Sequence, residues 1–254
     1  MIGLFSDVHA NLEALEAVLE EMERQGADTF ICLGDIVGYG PEPVECVDLI
    51  REKCEVALCG NHDFALIYGA VDFNPVAKSS IELHRRMLMP RPGRDDEERR
   101  ERWEFLKSMP KRHVKGEMLF VHGSPRNPVS EYLRKVDVLL GLEEKFRENF
   151  EQVDWLCFSG HTHRAGVITQ KLEWLEPEVI GNLYEAQRHR KTIVNVGSVG
   201  QPRDRDSRAC CATVTEQGVV RFHRVRYDVQ KVADKMAAMP GVDPSLADRL
   251  RKGK

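Results

Sequence analysis

The chain has 254 residues, with 37 Lys and Arg against 41 Asp and Glu for a formal net charge of -4. That length can bury a substantial core, and the slightly acidic balance excludes a general electrostatic attraction to nucleic acid or to an anionic membrane, so any phosphate recognition must be local. Seven cysteines with no C-x-x-C pair, an N-terminus "MIGLFSDVHA" without a basic n-region and no apolar stretch of membrane-spanning length lead us to expect a cytoplasmic protein that does not enter the membrane.

"IGLFSD" predicts a strand. "NLEALEAVLEEMERQG" predicts a helix, because Leu12, Leu15, Val18, Leu19 and Met22 recur at helical spacing between an Asn11 cap and a Gly26 stop. The alternation repeats in "TFICLGD" and "PEPVECVDLIREK", then in "VALCGN", a polar stretch containing aromatics, and the helical "PVAKSSIELHRRMLM". Three such units predict a largely parallel sheet. Within the charged stretch 91–112, "DDEERRERWEFLKSM" predicts a solvated surface helix with one apolar side through Trp103, Phe105 and Leu106. A strand "EMLFVHG", a helix "GLEEKFRENFEQ" and a strand "WLCFSGH" follow. In the last third, "GVITQKLEWL", "KTIVNVGS", "ACCATVTE" and "GVVRFHRVRYD" predict successive strands and with them a second sheet, ahead of a helix "VQKVADKMAAM" and a polar tail "ADRLRKGK". One α/β domain is expected over 1–254, with its core over about 1–227 and a C-terminal helical tail over about 228–254.

The residues able to do chemistry stand where the predicted strands end. Asp7 and His9 follow the first apolar run, Asp35 the second, Asn61 the third, His122 the fourth, and His161 with His163 the fifth. In parallel α/β sheets the carboxyl ends of the strands share one edge, so all seven can converge. Glycines and other small residues bracket them in "LGDIVG", "CGNHD", "VHGSP" and "SGHTH", which lets the backbone turn sharply beside a bound ion. Alone, an Asp-x-His is more often a surface turn and a Gly-Asp a helix cap. Jointly, five of the nine histidines fall in these short motifs at predicted strand ends. Four histidines, two aspartates and an asparagine suit Mn²⁺, Fe, Zn²⁺, Co²⁺ or Ni²⁺ better than Mg²⁺ or Ca²⁺. The set exceeds what one tetrahedral ion needs. A pair of ions bridged by one aspartate is the economical reading, and that arrangement serves displacement at phosphorus. The neutral oxygen of Asn61 would then bind metal without adding charge against an anionic phosphoester.

The ordered motifs D-x-H, G-D-x-x-G, G-N-H-D, a V-H-G-x-P-like strand end and G-H-T-H resemble those of the calcineurin-like metallophosphoesterases over Asp7 to His163. "GYGPEPVECVDLI", "VHGSPRNPVSEYL" and "VNVGSVGQPRDRDSRA" extend the resemblance toward position 214, in the manner of the small prokaryotic phosphodiesterase branch. The resemblance implies a two-sheet α/β sandwich flanked by helices. It also implies one divalent ion held by Asp7, His9, Asp35 and His163 and a second held by Asp35, Asn61, His122 and His161, with Asp35 as the bridge and manganese the expected metal. A solvent molecule between the ions would be the nucleophile, and His62 would face the substrate and protonate the leaving oxygen. Asp63 could orient His62 or act as a cap. Asn11 has two readings, phosphate contact and helix cap, and Arg203 also has two, a cation for the substrate and a loop salt bridge. His84, His113, His189 and His223 are read as structural or surface residues.

Departures narrow the substrate. Phosphoprotein phosphatases and diadenosine tetraphosphate hydrolases run G-D-x-V-D-R-G and R-G-N-H-E, whereas "GDIVGYG" and "CGNHD" lack both arginines. Ala10 stands where many small members have glycine. The expected function is a dinuclear phosphodiesterase for a small or nucleotide-like phosphoester. The alternatives are a non-catalytic metal-binding scaffold of the same fold, which the presence of His62 argues against, and a nuclease for short single-stranded nucleic acid, which the acidic balance disfavours. Specificity is expected from the loops Phe64 to Asn74, Arg91 to Arg112 and Trp174 to Arg190, and Tyr68, Phe73 and Trp174 are candidates for a lid or for the interface of a homo-oligomer.

Overall fold

Each short apolar run forms a strand whose alternate residues serve two different cores. In the computed structural model, which describes every residue except 92, 94 and 95, the chain begins β1 (Ile2–Phe5), α1 (Leu12–Arg24), β2 (Thr29–Cys32), α2 (Pro43–Lys53), β3 (Val56–Ala57), α3 (Asn61–Tyr68), α4 (Pro75–Leu88) and α5 (Glu97–Ser108). The middle carries β4 (Arg112–Lys115), β5 (Met118–Val121), α6 (Lys135–Leu139), α7 (Glu143–Glu151) and β6 (Leu156–Ser159). The last third carries β7 (Gly166–Thr169), β8 (Trp174–Leu175), β9 (Leu183–Glu185), β10 (Thr192–Asn195), β11 (Ala209–Val214), β12 (Val219–Val225), α8 (Val229–Ala238) and α9 (Ser245–Lys252).

Among the described residues the strands form two six-stranded sheets, β3-β2-β1-β11-β12-β9 and β4-β5-β6-β10-β7-β8. Both are mixed. β1, β2 and β3 run parallel, as do β5, β6 and β10, while the remaining pairs are antiparallel. Leu4 and Ile31 from the first sheet meet Phe120, Phe158 and Val194 from the second in the core between the sheets. The intervening residues Phe5 and Cys32 face α1 and α2 on one outer side, and Cys157 and Ile193 face α7 on the other. The two-residue period of the strand thus builds a layered sandwich with helices outside.

Two local expectations change. The strands of the last third do not make a sheet of their own: β9, β11 and β12 extend the first sheet beside β1, and β7, β8 and β10 complete the second. Alternation assigns a residue to a face but carries no label for the sheet. The polar stretch after the third strand is a helix, α3, whose N-terminus is held by the Asp63 carboxylate accepting from Gly60 N–H at 3.0 Å. The expected helical tail over about 228–254 is two helices: Leu246, Ala247 and Leu250 of α9 pack with Val232, Ala233 and Met236 of α8 and with Tyr39. The charged stretch 91–112, apart from residues 92, 94 and 95, which lie outside the described set, supplies α5. Its Leu106 is buried and its Arg102 pairs with Asp48 of α2. No helix among the described residues is long and apolar enough to cross a membrane.

Candidate metal centre

The loops that leave β1, β2, β5 and β6, together with the start of α3, bring all seven predicted residues to one place. Asp7, His9, Asp35, His122, His161 and His163 are buried, and Asn61 is half-buried. The turns are unusual: Asp7, His9, Asp35, His161 and His163 all have positive φ, at 56°, 47°, 54°, 66° and 58°. Such backbone is uncommon for residues with a Cβ and persists where the surroundings over-determine it. The surroundings here are backbone hydrogen bonds, since the N–H groups of Asp7 and His9 donate to the carbonyls of Gly34 and Asp35, each at 2.9 Å. Two glycines permit the close approach. A Cβ on Gly60 would lie 2.1 Å from Asp35 Oδ1, and one on Gly160 would lie 2.7 Å from Asp7 Oδ2.

Each of the four candidate histidine ligands gives one ring nitrogen to a backbone carbonyl. His9 Nδ1 meets Val37 at 2.9 Å, His122 Nδ1 meets Leu33 at 3.0 Å, His161 Nε2 meets Ser130 at 3.1 Å, and His163 Nδ1 meets Gln201 at 2.5 Å. A carbonyl only accepts, so these nitrogens carry the proton, and the opposite nitrogen presents a lone pair whenever its ring is neutral. The lone pairs converge in two groups. In the first, His9 Nε2 and His163 Nε2 stand 3.2 Å apart, and Asp7 Oδ1 lies 3.3 Å from His163 Nε2 and 4.0 Å from His9 Nε2. In the second, His122 Nε2 lies 3.2 Å from both Asn61 Oδ1 and His161 Nδ1. Asp35 Oδ2 touches both groups, 3.7 Å from His9 Nε2 and 3.4 Å from His122 Nε2.

This geometry suits cations. Donors bound about 2.0–2.2 Å from one ion stand roughly 3–3.5 Å from each other, close to the spacing seen, and crowded acceptors without a cation repel. The second carboxylate oxygens are already committed, Asp7 Oδ2 to His161 N–H at 3.0 Å and Asp35 Oδ1 to His62 N–H at 2.8 Å. Asp7 Oδ1 is buried with no hydrogen-bond partner among the described residues. The residues fit a divalent ion bound by mixed nitrogen and oxygen donors.

Burial dominates the electrostatics. It raises the Asp7 pKa to about 7 and lowers that of His161 to about 3, with His122 adding to the fall. His9 and His163 are held well below the usual imidazole range for the same reason. His122 goes the other way, to about 9, because Asp35 and Asp7 outweigh its burial. Burial would lift Asp35, but His122, His62 and His9 together keep it well below the ordinary carboxylate range. The two carboxylates thus favour a proton on His122 in the place that a bound cation would take.

The neighbours of this centre divide by role. His62 packs at 4.7 Å from the His9 ring and 5.1 Å from Phe73, with Nδ1 buried against Gly38 and without a partner. Burial lowers its pKa to about 4. Asp63 does not orient His62. Its oxygens accept from Asp35 N–H at 2.7 Å, Ile36 N–H at 3.0 Å and Val37 N–H at 3.3 Å as well as from Gly60, so the carboxylate ties the Asp35 loop to α3. Asn11 is used as the cap: Oδ1 accepts from Ala14 N–H at 3.1 Å, and Nδ2 donates to Gly200 O and Tyr227 Oη. That leaves it no group for phosphate. Among the described residues Arg203 makes no loop salt bridge, and Asp204 pairs with Arg224 instead. It lines a cavity of about 880 Å³ beside Asn61, His62 and His161. His84 is structural, bridging Gly38 N–H and Gly40 O.

Three contributors were not singled out from sequence: Tyr39, whose ring lies 4.8 Å from His9 and 4.7 Å from His62; Tyr132, stacked 3.7 Å from His161; and Arg249 of α9 on the cavity wall. The segments "GYGPEP" and "VSEYL" that contain the two tyrosines were the available signal. Ser198, in the "VGSVGQPRD" turn, also supports the centre. Its hydroxyl donates to Asp7 O at 3.0 Å and accepts from Gln201 N–H at 2.9 Å, coupling the first loop to the support of His163.

Comparison with known proteins agrees with this geometry. A model of the calcineurin-like phosphoesterase superfamily domain matches residues 1–218. The uncharacterized protein MJ0912 of Methanocaldococcus jannaschii is 34% identical over 244 residues, covering 93% of this chain and 91% of that protein. The crystal structure of a metallophosphoesterase from Sphaerobacter thermophilus matches with a TM-score of 0.78 at 36% identity, covering 100% of this chain and 98% of that one. The hypothetical protein PH1004 from Pyrococcus horikoshii OT3 shares the fold at a TM-score of 0.73 and 18% identity, over 100% and 99% of the two chains. With the strand-end donors inside the matched region, the chain belongs to the calcineurin-like phosphoesterase superfamily, which supports phosphoester hydrolysis with divalent metal ions.

Proposed function

We propose that the protein is a two-metal phosphodiesterase acting on a small or nucleotide-like phosphoester. The observation that carries this reading is the placement of Asp35 Oδ2 between two complete donor groups, 3.7 Å from His9 Nε2 and 3.4 Å from His122 Nε2. Asp7, His9, Asp35 and His163 would hold one ion and Asp35, Asn61, His122 and His161 the other, with manganese suited to the mixed donors. Bound ions would supply an activated water as nucleophile and neutralise charge developing on the phosphate.

The side chains supply the rest. Asn61 contributes a neutral oxygen, which limits the negative charge meeting an anionic diester. His62 borders the cavity and serves as general acid toward the leaving oxygen. Burial keeps it neutral before substrate arrives, and an anionic phosphate beside the ring raises its pKa toward the working range. Tyr39 and Phe73 wall in the imidazole, and Tyr132 braces His161. A cavity of about 880 Å³ suits a small molecule rather than a folded phosphoprotein.

The test is hydrolysis of bis-p-nitrophenyl phosphate by metal-stripped protein before and after Mn²⁺ is restored, with elemental analysis alongside. Two ions per chain and Mn²⁺-dependent turnover are expected, and Asp35→Ala should lower turnover on the order of 10³-fold or more. Full activity with one ion per chain would refute the two-metal centre. Turnover of p-nitrophenyl phosphate but not of the diester would refute the phosphodiesterase.

A further inference from the structure

The cavity beside the centre is charged in an unbalanced way. Lys111, Arg126, Arg203 and Arg249 line it against a single acid, Asp72. Arg126 is neutralised by Glu131 and Glu148. Arg203 and Arg249 have no aspartate or glutamate within ion-pair distance among the described residues. They come from the turn before β11 and from α9, yet their guanidinium carbons lie 6.0 and 5.8 Å from the centroid of the same Tyr39 ring. Arg203 donates through Nη2 to Gln201 Oε1 at 2.8 Å, and its Nε is buried without a hydrogen-bond partner among the described residues. Arg249 donates through Nε to the main-chain oxygen of Lys254 at 3.2 Å. Its burial and the nearby Arg203 push its pKa below the usual guanidinium range. Two partly buried like charges on one ring, with no aspartate or glutamate between them among the described residues, are costly to hold together, and an anion between them relieves the cost. Guanidinium forks match phosphate oxygens in paired hydrogen bonds. Tyr39 joins this pair to the reaction centre, because the same ring packs on His9 and His62.

We propose that Arg203 and Arg249 form a second anion subsite, and that the substrate is a phosphoester carrying a second phosphate, with one phosphate at the metal centre and the other at the two guanidinium groups. The inference rests on the phosphodiesterase reading for the first phosphate. It gives α9, a segment beyond the matched family region 1–218, a place in substrate selection.

The experiment is a calorimetric titration of the metal-loaded protein with adenosine 3′,5′-bisphosphate and, separately, adenosine 5′-monophosphate, with intact nucleotide verified at the end. The wild type should bind the bisphosphate about tenfold or more tightly than the monophosphate. R203Q and R249Q should each reduce that advantage to about threefold or less, R249K should restore part of it, and R251Q, on the exposed side of the same helix, should leave it intact. Equal affinity for the two nucleotides in the wild type, or an undiminished advantage in R249Q with thermal unfolding unchanged, would overturn the subsite. Bis-p-nitrophenyl phosphate carries one phosphate and reports separately on the reaction. Discrimination without its turnover refutes the phosphodiesterase and keeps the subsite, while turnover without discrimination does the reverse.

Discussion

Asp7, His9, Asp35, His161 and His163 are buried on left-handed backbone whose N–H and C=O groups are largely tied together, whereas across the cavity Tyr68 is 64% exposed and Val71 74% exposed. The donor side is assembled from loops that follow parallel strands of both sheets and has little freedom to rearrange. The opposite rim is the end of α3 and the turn before α4, closed by Gly69 at φ 110° with open space around it. Preorganisation of charge demands the first kind of wall, since donors that must relax during reaction lose their advantage. Selection among substrates tolerates the second. On the proposed function, the chemistry would belong to the fixed side, and the exposed rim would join Arg203 and Arg249 in meeting the substrate.

The sharpest way to break this division is at His62, which belongs to the fixed side but faces the cavity. His62→Asn should retain the metal content and lose about 10²–10⁴-fold in kcat on alkyl phosphodiesters, whose leaving groups need a proton, while losing less than about tenfold on p-nitrophenyl esters. Equal losses on both would remove it as the acid. Next in size is Asp63→Asn, which keeps the shape but turns an amide N–H₂ toward backbone donors that now point at a carboxylate. Stability should fall by about 2–4 kcal/mol, read by chemical unfolding, with weaker metal binding because the Asp35 loop loses its anchor. Unchanged stability would mean that the loop is held by its neighbours alone.

The same division explains what could be read from sequence. The seven donors were legible because each follows an apolar run within a few residues, and parallel strands carry their ends to a common edge. The strand-to-sheet assignment was not, because β11 and β10 are both buried at every residue and differ in which partner they pair with, β1 for one and β6 for the other. α3 was missed since Asn61, His62 and Asp63 look like loop residues until Asp63 is seen to cap its own helix. Arg249 was illegible for a different reason. Its approach to Tyr39 depends on the packing of α9 on α8, a contact with no local sequence pattern. The left-handed turns left only a partial mark: the flanking glycines signalled sharp turns, but nothing local showed that Asp7 and His9 themselves take positive φ.

A smaller effect separates the two donor groups. His122 has its pKa raised to about 9 in the metal-free protein, so its contribution to stability is full below the ordinary imidazole value near 6.5 and is lost as pH rises through about 9. Asp7, raised to about 7, acts with the same sign at lower pH. The depressed histidines His9, His161 and His163 lose stability only as pH falls below the ordinary imidazole range and are flat above it. The metal-free protein should therefore become less stable between pH 7 and 8.5, a window chosen below the range where the seven thiols would titrate on unfolding. Mn²⁺ should raise Tm more at pH 8.5 than at pH 7, and binding at pH 7.5 should release about one proton, measured by calorimetry in buffers of different ionisation enthalpy. A binding enthalpy independent of buffer would show that His122 holds no proton for the metal to displace.

The smallest expected effect lies at Ala10, which has φ 54° and is fully buried beside two of the donors. A residue with a Cβ gives up about 1–2 kcal/mol in the left-handed region, so glycine would relieve strain. Glycine also restores roughly 0.5–1 kcal/mol of unfolded-state entropy and removes a buried methyl group worth about 0.8 kcal/mol. These terms nearly cancel. Ala10→Gly should therefore change stability by less than about 1 kcal/mol and leave Mn²⁺-dependent turnover within about twofold. A large fall in turnover at unchanged stability would locate part of the centre's rigidity in that one methyl group, because the backbone hydrogen bonds from Ala10 N–H to Ile36 O and from Glu42 N–H to Ala10 O remain in the variant. A fall in both would instead show that the strained turn is held by side-chain packing rather than by those bonds.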